Sequence, residues 1–148
     1  MIGRYFDALR HARRRRVWSA DLATGRRGED LAHRYLRRLG YTIVARNYRL
    51  PSGDAEADLI AWDGPTLVIV EVKTRASHAA GHPAEAIDAD KQRRLTRAAL
   101  GYLNRHGLLE HRARFDVIAI TWPDGGGKPT IEHLIDAFPA VGTGQLFN

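Results

Sequence analysis

The sequence predicts a single small α/β domain with its elements in the order α-β-β-β-α-β-β, and three observations carry that prediction. At 148 residues the chain has the usual size of one domain and is too short for two ordinary ones. Two stretches, near 24–39 and 88–106, repeat apolar residues at helical spacing, while five others are short, rich in β-branched residues and bounded by turn formers. The composition, 44% hydrophobic and 27% charged, is that of a folded globular chain.

The first twenty or so residues show no clean period and read as a basic arm, residues 1–22, ahead of a domain spanning 23–148. From Thr24 a helix is predicted, with Leu31, Ala32, Tyr35, Leu36 and Leu39 as its apolar stripe and Gly40 placed to end it. Glu29 stands three and seven positions before Ala32 and Leu36, so its carboxylate can point along the packed side. Tyr41 to Tyr48 reads as a strand, closed by the turn Leu50-Pro51-Ser52-Gly53-Asp54. Ala57 to Trp62 and Leu67 to Lys73, joined by Asp63-Gly64-Pro65-Thr66, have the form of an antiparallel hairpin. Its second arm is apolar at every position until Glu71, as a central strand covered on both faces requires. Arg75 to Pro83 is a loop. A helix from about Asp88 carries Leu95, Ala98, Ala99, Tyr102 and Leu103 inward and stops at Gly107. Phe115 to Trp122 is another strand, Pro123 to Pro129 a Gly-rich connection, and Thr130 to Leu134 a short peripheral strand.

Charge and cysteine usage narrow the chemistry. The net charge of +6 and pI near 10.2 point to a polyanionic partner. Six arginines within residues 1–16 (Arg4, Arg10, Arg13, Arg14, Arg15 and Arg16) set against Asp7 give +5 of that +6, so the body is nearly neutral. Cysteine is absent, which excludes disulfides, thiolate nucleophiles and thiolate metal sites, and any metal must sit on oxygen or imidazole. The longest apolar run, Leu67 to Val70, is strand-sized, and nothing reads as a membrane span or secretory leader, so a cytoplasmic protein is expected.

Residues two apart on a strand share a face, so Glu71 and Lys73 project together from the end of the buried strand. If the hairpin closes with Trp62 opposite Leu67, the same register sets Asp58 opposite Glu71, with β-carbons roughly 5 Å apart. Two such carboxylates can share one cation but repel when unbridged. A divalent ion that favours oxygen and retains several waters, Mg2+ or Mn2+, is the fitting occupant, and phosphodiester hydrolysis is the reaction that needs it, with a lysine beside it to stabilise developing negative charge. A Glu-x-Lys pair on a strand is by itself usually a surface ion pair. Apolar flanks and the facing Asp58 set this one apart.

In order along the chain, Gly28-Glu29, Arg46-Asn47, Glu56-Ala57-Asp58-Leu59-Ile60-Ala61, Val70-Glu71-Val72-Lys73-Thr74-Arg75, Lys91 and Arg114-Phe115-Asp116-Val117 resemble the successive signatures of the YraN family, from Gly25 to about Ile120. The resemblance implies a restriction-endonuclease-like fold related to archaeal Holliday junction resolvases, a central mixed sheet of about five strands flanked by helices, and a PD-(D/E)xK type of site. By motif position it places the metal-binding acids on Asp58 and Glu71, the lysine on Lys73 and a helical glutamate on Glu29. Ala55 stands where the family usually has glycine and Ala57 where it has a larger apolar residue, while the acids are intact.

The remaining candidates divide between site and surface. Glu56 faces the same way as Asp58 and either adds to the site or pairs with an arginine. Lys91, in the first turn of the second helix, is badly placed for the helix dipole unless something anionic lies nearby, which suits a phosphate. Arg75 and the arm residues Arg13, Arg14, Arg15 and Arg16 complete the expected nucleic-acid contacts. Asp116 reads as structural, bonded to a turn or to Arg114. His78 and His82 lie in a Gly- and Pro-containing loop unsuited to zinc, and Gly125-Gly126-Gly127-Lys128 lacks the context of a phosphate loop. The expectation is a divalent-metal-dependent endonuclease acting on DNA, with branched or junction DNA implied by the resemblance alone. A homodimer would suit a symmetric junction, although the only interface signal is the aromatics Tyr5, Phe6 and Trp18. Two other classes stay open: a non-catalytic nucleic-acid-binding or accessory protein that keeps the fold, and an interaction module whose acids satisfy buried arginines.

Overall fold

The computed structural model describes residues 25–53, 55–75 and 87–142. The expected arginine arm, with Arg13, Arg14, Arg15 and Arg16, and the loop histidines His78 and His82 lie outside the described residues.

A helix, α1, covers residues 25–38 and buries Gly28, Ala32 and Leu36, a four-residue spacing that puts all three on one face. Gly40, at φ 92°, turns the chain out of it. Three strands follow: β1 (Thr42–Arg49), β2 (Glu56–Asp63) and β3 (Thr66–Arg75). Helix α2 (Ala89–Arg105) is capped by Asp88, whose side chain accepts from the backbone N–H of Lys91. Two more strands, β4 (Ala113–Thr121) and β5 (Thr130–Leu134), complete the regular structure among the described residues, in the predicted order.

The sheet runs β1-β2-β3-β4-β5, with β3 and β4 parallel and every other pair antiparallel. Mixed sheets of this kind need a crossover between the parallel strands, and α2 lies on it. β3 is central and covered twice. Leu67 and Ile69 pack with Leu95, Ala98, Ala99 and Leu103 of α2, whereas Val68 and Val70 pack with Ala32 and Leu36 of α1. That double burial is why β3 carries no polar alternation before Glu71. No helix among the described residues is long and apolar enough to cross a membrane.

Two features fix the layers. Gly28 lets α1 approach β3 so closely that a β-carbon there would run into the Thr74 hydroxyl. Gly28→Ala is therefore expected to destabilise by about 1–2 kcal/mol despite alanine's better helix propensity. Denaturant midpoints check it, and a gain rather than a loss of stability should appear when the same change is made in a Thr74→Ala background. The second feature is a buried polar clasp on β4. Asp116 has a fully buried side chain and takes bonds from Arg114 Nε (2.9 Å) and Nη2 (3.0 Å), from the Asp136 N–H (3.0 Å) and from His133 Nε2 (2.8 Å). Arg114 also donates to Asp63 (3.1 Å) and to the Tyr41 hydroxyl (2.9 Å), so the clasp ties the hairpin end, the entry to β1, β4 and the exit from β5. Burial alone would raise the Asp116 pKa, but the hydrogen bonds from His133, Arg114 and Asp136 outweigh it and hold the carboxyl below its ordinary range. The structural expectation for Asp116 is met by both partners foreseen for it, Arg114 and a turn.

Candidate metal and nucleic-acid site

The site forms where β3 outruns its neighbour. The predicted Trp62–Leu67 register is present and continues to Leu59–Val70, where the β2–β3 ladder stops. On the other side β3 stays paired with β4 as far as Arg75–Thr121. Beyond Leu59 the contact is made by a side chain: Asp58 Oδ2 accepts the Val72 N–H at 2.8 Å. The ladder thus ends one pair short of the expected Asp58–Glu71 partners, and Asp58 is instead tied to β3 through a carboxylate that accepts the Val72 N–H next to Glu71.

The cause lies in β1 and β2. Arg46–Leu59 and Tyr48–Ala57 are paired, and between them stand Asn47 and Asp58. Asn47 has φ 49°, a left-handed conformation that asparagine tolerates better than most residues. On β2, Ala57 and Ile60 belong to the same core cluster, and the partly buried Ala45 and Tyr48 on β1 both pack against it. Residues three apart face opposite ways on a flat strand, so both strands rotate at this point. The rotation takes Asp58 out of the regular ladder.

Glu71 is the centre of the cluster. Its side chain is only 5% exposed, and Oε1 lies 3.2 Å from Lys91 Nζ and 3.6 Å from Lys73 Nζ. Oε2 is buried with no hydrogen-bond partner. An anionic oxygen buried and unpartnered is costly unless something is meant to meet it. Asp58 beside it is half-buried, and its pKa is pushed up to about 8, first by burial and then by the charge of Glu71; the Val72 hydrogen bond opposes this, Glu29 adds to it and Lys91 offsets part.

The other predicted residues fall around this centre. Glu29, on α1, is close enough for its charge to act on Asp58 and also lies 3.7 Å from Arg46 Nη2, whose shorter bond, 2.8 Å, goes to Asp30. Glu56 pairs with Arg49 at 3.2 Å on the exposed rim. Arg75 donates from Nε to Thr121 Oγ1 at 3.1 Å, beside the open end of β3. Asp30, His33, Arg34 and Arg46 line a cleft on the α1 side. Arg46 reaches both Glu29 and Asp30, a role its motif does not suggest, and Lys91 reaches Glu71 across twenty residues of sequence. An arginine motif beside a helical acid was the available signal for the first; only the crossover helix's placement reveals the second.

Among the described residues no three carboxylate or imidazole side chains form a cation cage. The residues nonetheless fit a small divalent ion, because Mg2+ keeps most of its waters and takes one or two carboxylates, and here the all-oxygen donor set offers a buried, unpartnered Glu71 Oε2 beside Asp58.

The Asp58 shift has a definite sign. Between the unfolded carboxyl value, 3.8, and about 8 the folded protein holds a proton that the unfolded chain releases, so stability of the metal-free protein falls as pH rises through this window. Asp58→Asn is expected to remove that slope and to be more stable than the parent at pH 8 by about 1–3 kcal/mol. Urea titrations at pH 5 and pH 8 decide it, and equal slopes in the two proteins would refute it.

Fold and site together define a small mixed-sheet α/β protein whose central strand ends in a cluster of carboxylates and lysines. The chain belongs to the family described as Uncharacterised protein family UPF0102, the YraN family, whose model matches residues 28–120. That stretch contains Glu29, Asp58, Glu71, Lys73, Lys91 and Asp116. A UPF0102 protein of Solibacter usitatus is 46% identical over 138 residues, covering 93% of this chain and all of its own length. One from Geobacter sulfurreducens is 53% identical over 116 residues, 77% of this chain and 87% of the relative, and one from Rhodococcus jostii is 50% identical over 118 residues, 80% of this chain and 98% of the relative.

Proposed function

We propose that this protein is a divalent-metal-dependent endonuclease that hydrolyses phosphodiester bonds in DNA, with Asp58 and Glu71 as the metal ligands and branched or junction DNA as the favoured substrate. The observation that carries the reading is the buried, unpartnered Oε2 of Glu71 beside the half-buried carboxylate of Asp58. A Mg2+ or Mn2+ ion bound there would supply Lewis-acid polarisation of the scissile phosphate and a more acidic water.

The chain's own residues supply the rest. Asp58 is held in place by the Val72 N–H, so its free oxygen is already directed when a ligand arrives. Lys73 shares the face of Glu71 and is 38% exposed at its side chain, which leaves its ammonium able to reach a phosphate oxygen and stabilise developing negative charge. Glu29 adds negative potential from the α1 side, and Arg46 limits how far it moves. Arg75 stands two residues beyond Lys73 on the same strand face, where a neighbouring backbone phosphate would pass.

A second reading, an accessory protein that binds nucleic acid without cleaving it, is favoured by one observation: both lysines close on Glu71 Oε1 and can satisfy it without metal. The test offers purified protein linear, single-stranded and four-way-junction DNA with Mg2+ or Mn2+, beside Asp58→Ala and Lys73→Ala variants. Metal-dependent cleavage lost in both variants is the expected result. No cleavage of any substrate, with DNA binding kept in both variants, would replace the enzyme with the accessory protein. Deleting residues 1–16 is expected to weaken binding and flatten its salt dependence if the arginine arm supplies the phosphate contacts.

A further inference from the structure

We infer that Lys91 is an exchangeable counter-ion: it neutralises Glu71 while the site is metal-free and, once a divalent ion takes that carboxylate, turns to a phosphate of the bound DNA, coupling metal binding to DNA binding. The inference rests on the function proposed above and deepens it.

Three observations support it. Lys91 Nζ lies 3.2 Å from Glu71 Oε1, closer than the 3.6 Å of Lys73, although Lys91 comes from a different element and no ladder forces the contact. Its backbone N–H is the one that bonds the Asp88 cap, so the residue sits in the first turn of α2, at the positive end of a helix whose dipole disfavours a cation. Glu71 is the anion that makes this position tolerable. The Lys91 side chain is also 30% exposed, so its ammonium has access to solvent and need not break packing to leave.

The consequence is competition followed by cooperation. A metal ion on Glu71 Oε2 draws charge from the same carboxylate whose Oε1 Lys91 holds at 3.2 Å, so it loosens that hold, and metal affinity without DNA is lower than the carboxylates alone would give. Once displaced, an ammonium at a helix N-terminus beside a newly bound dication is poorly placed, and a phosphate oxygen is the partner that relieves it. Each ligand then favours the other by the same factor, as linkage demands.

Wild-type protein, Lys91→Met, Lys91→Arg and Asp58→Asn are compared by Mn2+ titration calorimetry without DNA, and by anisotropy of a labelled DNA duplex with Ca2+ or with chelator. Methionine keeps the apolar stem and helix propensity. Expected in Lys91→Met is Mn2+ affinity higher by about three- to tenfold together with a smaller metal-induced gain in duplex affinity, with Lys91→Arg close to wild type on both. Thermal unfolding of each variant confirms that it is folded. Mn2+ binding that is lost in Asp58→Asn but unchanged or weaker in Lys91→Met overturns the exchange while leaving the metal site standing. No Mn2+ binding by the wild type overturns both.

Discussion

Glu71→Gln is expected to lower metal-dependent DNA cleavage by about two to three orders of magnitude while the protein remains folded. The substitution keeps size and shape but removes the charge on which Lys73 and Lys91 converge and to which the proposed divalent ion would bind. Losing one preorganised charged group from such a site typically costs a hundredfold to a thousandfold in rate. Folding should survive because the two lysines that lose their partner have side chains 38% and 30% exposed and can turn to water, and because the like-charge pressure on Asp58 disappears. Single-turnover cleavage with saturating Mn2+, read beside a thermal melt, checks both halves. Wild-type cleavage by Glu71→Gln would remove Glu71 from the proposed site.

Asp116→Ala should act in the opposite sense, destroying stability with no direct part in chemistry. The substitution leaves Arg114 with only Asp63 and the Tyr41 hydroxyl and removes the acceptor that His133 and the Asp136 N–H share. Breaking a buried ion pair by removing one partner costs about 3–5 kcal/mol, a large share of a domain's net stability. The same group sets an acid limit. Its folded pKa lies below the unfolded value of 3.8, so its contribution is fully present above that value and is lost as pH falls through the folded pKa. Urea titration at neutral pH should show Asp116→Ala partly or wholly unfolded, and the wild type should lose stability below about pH 4. A neutral-pH loss under about 1 kcal/mol would mean that the clasp is ornamental.

These expectations show where the sequence was informative. The hairpin register followed from one turn and from a strand apolar at every position, because a slip of one residue would have turned its whole core face to solvent. The helices near 24–39 and 88–106 were legible from their helical period, and the strands at 41–48, 57–62 and 67–73 from short β-branched or apolar runs bounded by turn formers. What remained hidden was long-range. Asp58 meets Glu71 through a side-chain bond to Val72 because β1 and β2 rotate at Asn47, and a left-handed asparagine inside a strand has no periodic signature. Lys91 stands twenty residues beyond Glu71, and its approach depends on how α2 is laid across the sheet. The Asp116 clasp joins partners from Tyr41 to Asp136, of which only the Arg114 spacing was local.

The rotation at Asn47 also bears on how this protein would respond to selection for robustness. A β-branched residue at that position, such as Asn47→Val, would resist the left-handed backbone and favour an unbroken ladder. A regular ladder would return the Val72 N–H to a backbone acceptor and release the Asp58 carboxylate from its present anchor. Screens that reward heat resistance alone should therefore drift toward a straighter, sturdier sheet and away from the cluster at its end, a trade between durability and chemistry written into one asparagine.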